Sequence, residues 1–118
     1  MVIVKVETVN KPWGKEEILV KSNKYVMKRI TITRGNRLSL QYHEIKEETI
    51  YVLQGNLVIW KTDNIDEKIV LEPGSLYHVK PNEIHRFGAT DDEDAVILEC
   101  STPELWDVIR IKDDYNRK

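Results

Sequence analysis

Apolar and polar residues alternate along most of the chain, in short runs broken by Gly, Pro, Asn and Asp. Tyr25 to Thr33 (YVMKRITIT) is rich in β-branched and aromatic residues and reads as a long strand. Similar period-two patterns predict strands over Val2 to Val6, Glu17 to Lys21, Arg37 to His43, Thr49 to Gln54, Leu57 to Lys61, Lys68 to Glu72, Leu76 to Lys80, His85 to Gly88 and Ala95 to Ser101. Turn signals separate them: Asn10-Lys11-Pro12, Ser22-Asn23, Gly35-Asn36, Gly55-Asn56, Pro73-Gly74 and Pro81-Asn82. Gly55-Asn56 reads as a tight turn that folds Leu57 to Lys61 back as a hairpin. The one helix candidate is Thr102 to Asp107, with Thr102 as N-cap and Pro103 at the first helical position. Many short strands with closely spaced turns predict an all-β sandwich or barrel.

The side chains on one strand face carry the chemistry. Between Arg37 and His43, Ser39, Gln41 and His43 share a face, and Leu38, Leu40 and Tyr42 share the other. Gln41 and His43 therefore point the same way. Glu48 follows across the bend, and His85 stands just after the Pro81-Asn82 turn. Imidazole nitrogens with carboxylate and amide oxygens suit a divalent zinc, manganese, iron, cobalt or nickel ion. His78 has no such partners in its neighbourhood and reads as a non-ligand.

Composition narrows the setting. The 118 residues make one domain (1–118), with an N-terminal edge strand within 1–10 and a helix or tail over 102–118. Apolar residues at 41% and charged residues at 32% describe a globular chain with a well-solvated surface. A net charge of −2 gives no electrostatic case for nucleic acid or an anionic membrane as partner. No apolar run approaches the ~20 residues that span a bilayer. The N-terminus lacks the features of a signal peptide, so the cytoplasm is the expected compartment. Cys100 stands alone and reads as a buried thiol. Trp13 and Trp106 read as core aromatics.

Several motifs in order resemble the cupin superfamily. Gly35, His43, Glu48 and Gly55 match the first half of its double signature, with adjusted spacing. Pro73, Gly74, Pro81 and His85 match the second half. The resemblance sharpens toward the C-terminal domain of type II phosphomannose isomerases, whose Q-x-H-x-H-R-x-E-x-W-x-V-x-x-G is met in register by Gln41, His43, Glu48, Val52 and Gly55. Lys11-Pro12-Trp13-Gly14 is similar to its lead-in, and the run from Asp107 to Arg117 to its closing segment. The chain departs from the branch at Ile45, where the family has a second histidine, at Lys46 for arginine and at Ile50 for tryptophan.

The resemblance implies a single-domain cupin, a double-stranded β-helix or jelly-roll barrel. It implies one divalent ion held by Gln41, His43, Glu48 and His85, with Gln41 replacing the ligand lost at Ile45. The implied activity is a metal-dependent sugar-phosphate isomerase, interconverting an aldose and a ketose through an enediol. Such a reaction needs a Lewis acid, a base and a cation for the phosphate. Lys46 and Arg86 are the leading cation candidates, with Arg37 and Lys80 behind them. No base stands out, because Glu44 and Glu47 read as surface carboxylates. The expected ligand is a sugar phosphate or nucleotide sugar, taken without the nucleotidyltransferase domain that usually accompanies the branch. An iron-dependent oxygenase built on two histidines and a carboxylate is an alternative, as is a non-catalytic sugar-binding cupin. The stripe Leu38, Leu40 and Tyr42 suggests either a twofold dimer or packing inside a two-sheet sandwich.

Overall fold

A computed structural model describes residues 5–118, and within them the chain is all strand, turn and loop. Eleven strands are present: β1 (Glu7–Lys11), β2 (Gly14–Lys21), β3 (Val26–Ile32), β4 (Leu40–Tyr42), β5 (Glu48–Gln54), β6 (Leu57–Trp60), β7 (Lys68–Leu71), β8 (Leu76–Val79), β9 (Arg86–Ala89), β10 (Ala95–Ser101) and β11 (Ile109–Lys112). One sheet has the order β1-β2-β3-β10-β5-β8. Facing it are the pairs β11-β4 and the sheet β7-β6-β9. Residues 35–42 run antiparallel to 85–90 and join these two pieces into a second layer, through Leu38 N–H to Phe87 O (2.8 Å) and the reciprocal Gln41 and His85 amide bonds (3.0 and 2.9 Å). The result is a two-sheet jelly roll.

The alternation read in the sequence is what fills the space between the layers. Along β3, Val26, Lys28, Ile30 and Ile32 are buried while their neighbours are half-exposed. Along β10, Ala95, Ile97, Glu99 and Ser101 point inward. Ile50, Val52, Leu57, Ile59, Val79 and Phe87 close the core. Each such side chain contributes roughly 1.5–3 kcal/mol by leaving water. Both buried faces also carry a charged residue, Lys28 on β3 and Glu99 on β10, and the two are register partners.

Several expectations are corrected. The strand expected at Val2 to Val6 lies partly outside the described residues, and the first strand among those described is Glu7–Lys11, which turns at Pro12-Trp13 into β2. Gly55-Asn56 makes no hairpin, since β6 pairs with β7 and β9 rather than β5. Gly55 instead carries the chain from one sheet to the other at φ 71°, and a Cβ there would meet Asp94 O at 2.1 Å. Only glycine fits.

Residues 102–107 form turns, not a helix. Thr102 extends the sheet instead of capping: its N–H donates to Glu47 O (3.0 Å) and its hydroxyl accepts the Glu47 N–H (3.0 Å). Trp106 consequently projects from the turn, 73% exposed, while Trp13 is buried as expected. Cys100 is exposed because Glu99 takes the inward position beside it. Leu38 belongs to the core and Leu40 is buried within the chain, so the apolar stripe is largely covered by the protein itself. Leu38 and Ser39 precede β4, where strict alternation does not hold. Among the described residues no helix is long and apolar enough to cross a membrane.

Candidate metal centre

His43 leaves the end of β4, Glu48 opens β5 and His85 immediately precedes β9. These strand ends converge, and one ligand atom from each lies within 4.8 Å of the others. All three residues are buried, with His85 fully so. The Nε2 atoms of His43 and His85 stand 3.6 and 3.3 Å from the same Glu48 oxygen. Neither nitrogen has a hydrogen-bond partner.

The opposite side of each ring explains its orientation. His43 Nδ1 donates to the Asp107 carbonyl, and His85 Nδ1 donates to the Glu83 carbonyl at 2.9 Å. A carbonyl can only accept, so these partners put a proton on Nδ1, and in the neutral imidazole the Nε2 lone pair then faces the site. Two lone pairs then converge on a buried carboxylate with no positive charge between them. Orphaned nitrogens, a fixed tautomer and a carboxylate are the donor set a divalent cation satisfies. The residues fit the metal that the resemblance implies.

The loop from Glu44 to Glu47 is held by one side chain. Asp107 accepts the N–H groups of Glu44 (3.1 Å), Ile45 (2.6 Å) and Lys46 (2.8 Å). Burial works to raise the Asp107 pKa, but the three amides outweigh it and the net shift is downward. Ile45 points outward, 53% exposed, so its position contributes nothing to the centre.

A cavity of about 150 Å³ opens beside His43 and Glu48. Gln41 lines it, with its amide oxygen accepting the Ser39 hydroxyl at 3.1 Å. Lys46 lines it too, but its ammonium is bracketed by Glu48 (3.4 Å) and Glu99 (3.3 Å). Burial lowers the Lys46 pKa; the charges of Glu99 and Glu48 exceed that effect and raise it. Glu48 behaves alike in reverse. Burial pushes it up, yet contacts with His43, His85 and Glu99 and the Lys46 charge hold it well below the usual carboxylate range. Glu99 is the group that yields: burial, then the neighbouring Glu48 carboxylate, push it up to about 8, against the pull of Lys46. A proton on Glu99 leaves a single negative charge, on Glu48, facing the ammonium.

The structure takes Arg86 out of the cavity. It follows His85 on the strand, so alternation sends it to the other face. There its Nε donates to Leu38 O (2.7 Å), and its Nη2 lies 3.4 Å from Asp114. Arg37 is likewise engaged, forked onto Asp114 at 2.7 and 3.0 Å and stacked over Trp60. Lys80 is exposed and outside the cavity wall, and His78 is a surface residue bonded to Thr49 and Glu47. Sequence reasoning missed Glu99, Lys28, Arg110 and Arg117, all of which line the cavity. For Glu99 and Lys28 a signal existed, as each is a charge on the inward face of an apolar strand.

Comparison with known proteins agrees with this architecture. The family described as "Cupin domain" matches residues 28–101. Mannose-1-phosphate guanylyltransferase of Escherichia coli (strain K12) is 35% identical over 112 residues, 92% of this chain and 23% of that protein. Quercetin 2,3-dioxygenase of Bacillus subtilis (strain 168) is 39% identical over 54 residues, 46% of this chain and 15% of that protein. The chain thus spans less than a quarter of the length of either relative. Among solved structures, the polyketide cyclase RemF from Streptomyces resistomycificus superposes with a TM-score of 0.78 at 19% identity, covering 94% of this chain and 85% of that one. At that identity the likeness speaks for the fold alone. Jelly-roll topology, the converging histidines and glutamate, and a family match over most of its length together show that the chain belongs to the cupin family, and that it resembles the cupin part of the bifunctional mannose-1-phosphate guanylyltransferase and type II phosphomannose isomerase proteins.

Proposed function

We propose that this cupin holds one divalent cation through His43, Glu48 and His85 and acts as a sugar-phosphate isomerase of the mannose-6-phosphate type. The observation that carries the reading is the pair of buried, unpartnered Nε2 atoms aimed at Glu48. Gln41, on the cavity wall one strand from His85, is placed to contribute its amide oxygen once the Ser39 hydroxyl releases it. When bound, the ion supplies Lewis acidity toward substrate oxygens.

The chain's own residues perform the remaining tasks. Asp107 and Glu83 orient the imidazoles through their backbone carbonyls. Glu99, buried and pushed up to about 8 by burial and the neighbouring Glu48, is the cavity carboxyl suited to carry a proton, the role no residue filled in the sequence. His43, His85, Glu99 and the Lys46 charge together hold Glu48 ionised against its burial. Likeness to a protein named for a sugar phosphate supports this substrate class.

Metal analysis of the purified chain, followed by incubation of mannose 6-phosphate with zinc, manganese or cobalt, tests the reading. Fructose 6-phosphate should form, and His43→Ala should abolish it. No turnover of any hexose phosphate by fully loaded protein would exclude the isomerase.

One observation favours a second reading. Two histidines and one carboxylate with open positions is the ligand set of ferrous oxygenases, and a dioxygenase is among the relatives. Oxygen uptake by the iron-loaded protein with a polyphenol would select it.

A further inference from the structure

Antiparallel sheets that face water on one side alternate apolar residues inward with polar residues outward. Two central strands of the larger sheet break this rule. β5 carries Ile50-Tyr51-Val52-Leu53 and β10 carries Ala95-Val96-Ile97-Leu98, unbroken apolar runs of the kind found where a strand is covered on both faces. Ile50, Val52, Ala95 and Ile97 fill the core. Tyr51, Leu53, Val96 and Leu98 are therefore left on the outer face, where Tyr51 is 39% and Leu53 44% exposed.

Register carries this patch across neighbouring strands, since paired residues project to the same side. Arg29, Leu98, Tyr51 and Leu76 form one row, and Leu76 on the edge strand β8 is 67% exposed. Met27, Cys100, Thr49 and His78 form the next row, so the chain's one cysteine stands on this face. Arg29 is closed by Glu17 at 2.7 Å, and His78 is bonded to Thr49 and Glu47. Both rows thus present apolar side chains and polar groups that already have partners.

We propose that this outer face docks a second copy of the chain, sheet against sheet, about a twofold axis. Its size suits that occupant. At ~3.3 Å per residue and ~4.8 Å between strands, the six strands make a face of roughly 600 Å² before side chains roughen it. A standard interface buries about 800 Å² per partner. The charge also suits it, because no unpaired charge in either row repels its own image. The shape is self-complementary: Leu53 and Leu76 project, and a groove of about 330 Å³ on the same sheet is lined by Tyr25, Thr49, His78 and Cys100. A twofold contact lets the projecting leucines of each copy meet the groove of the other. The dimer surface is then not the stripe at Leu38 and Leu40, which the chain covers itself. The face lies across the sheet from the cavity, so docking leaves the metal centre open, whatever that centre catalyses.

Sedimentation equilibrium of the full chain over a range of concentrations tests the proposal, with alkylation of Cys100 as a local probe. A dimer is expected, and Cys100 should react more slowly as the dimer forms. Leu76→Glu and Tyr51→Glu should each weaken association roughly tenfold or more, because a carboxylate would be buried unpaired, and should restore fast alkylation. Both positions are exposed within one chain, so circular dichroism of the variants should match that of the wild type. Ile69→Glu, comparably exposed on β7 in the other layer, should leave association unchanged. A chain monomeric at every concentration overturns the proposal, whether or not another partner binds this face. So does a dimer that survives both glutamate variants, a dimer equally disrupted by Ile69→Glu, or a dimer in which Cys100 reacts as fast as in the monomer.

Discussion

Lys46 illustrates how burial assigns a role to a residue. A lysine in the family's arginine position reads as a free cation for a phosphate, but here its ammonium sits between two buried carboxyls. Its removal leaves the buried Glu48 carboxylate without the one ammonium that faces it. Lys46→Met should therefore cost about 3–5 kcal/mol of stability, the usual penalty for breaking a buried pair. Urea unfolding at neutral pH measures this. An unchanged midpoint would mean that the proton on Glu99 already balances the cluster. Neither outcome is visible in the amino-acid order, because residues 46, 48 and 99 meet only when β5 and β10 pair.

At the scale of elements, the turn over 102–107 does what the expected helix would not. It brings Asp107 against the Glu44 to Glu47 loop, where one carboxylate accepts three amides and one carbonyl orients His43. Asp107→Ala leaves those amides unmet, that of Lys46 in a buried position, at about 1–3 kcal/mol for such a group. Metal affinity should fall with it, measured by competition with a chelator, although no ligand is touched. A variant that binds metal as tightly as the wild type would show that the loop holds itself.

The last strand and the tail are tied down electrostatically. Asp113 is held below its usual pKa by the Arg117 hydrogen bonds, and Asp114 by those from Arg37, each against the opposing effect of burial. A folded-state pKa below the unfolded one stabilises at pH above the unfolded value, about 4 for Asp. That stabilisation is lost as pH falls through the lowered folded-state values. Amide protection in β11 should accordingly decline in acid before that of β3. Simultaneous loss in both strands would contradict a locally held tail.

Across the whole molecule, the centre is assembled from β4, β5 and β9, so a bound ion ties both layers of the jelly roll together. An ion that binds only the folded chain, at a hundredfold excess over its Kd, should add about 2.7 kcal/mol. For a domain this size that corresponds to a rise in Tm on the order of 10 °C. A chelator should reverse the rise, and His85→Ala should never show it. A Tm indifferent to zinc, manganese, cobalt, nickel and ferrous ions would argue for the non-catalytic alternative.

Period-two patterning and turn chemistry were enough to read most of the strands, the all-β class and the position of His43, Glu48 and His85 near strand ends. Those are local properties: alternation sets which face a side chain takes, and Gly, Pro and Asn mark where strands stop. The inward charges Lys28 and Glu99 were also legible, as polar residues on apolar faces. Partnership was not. Whether Gly55 makes a hairpin or a crossing depends on which strands β6 pairs with, and those lie further along the chain. Arg86 was a candidate by adjacency to His85, yet adjacency in a strand means opposite faces. Arg110 had no local mark at all; pairing with β4 brings it into line with Gln41 and His85. The amino-acid order determined the faces and the breaks, and the tertiary structure decided which charges cancel, because pairing depends on distances that only the folded sheets set.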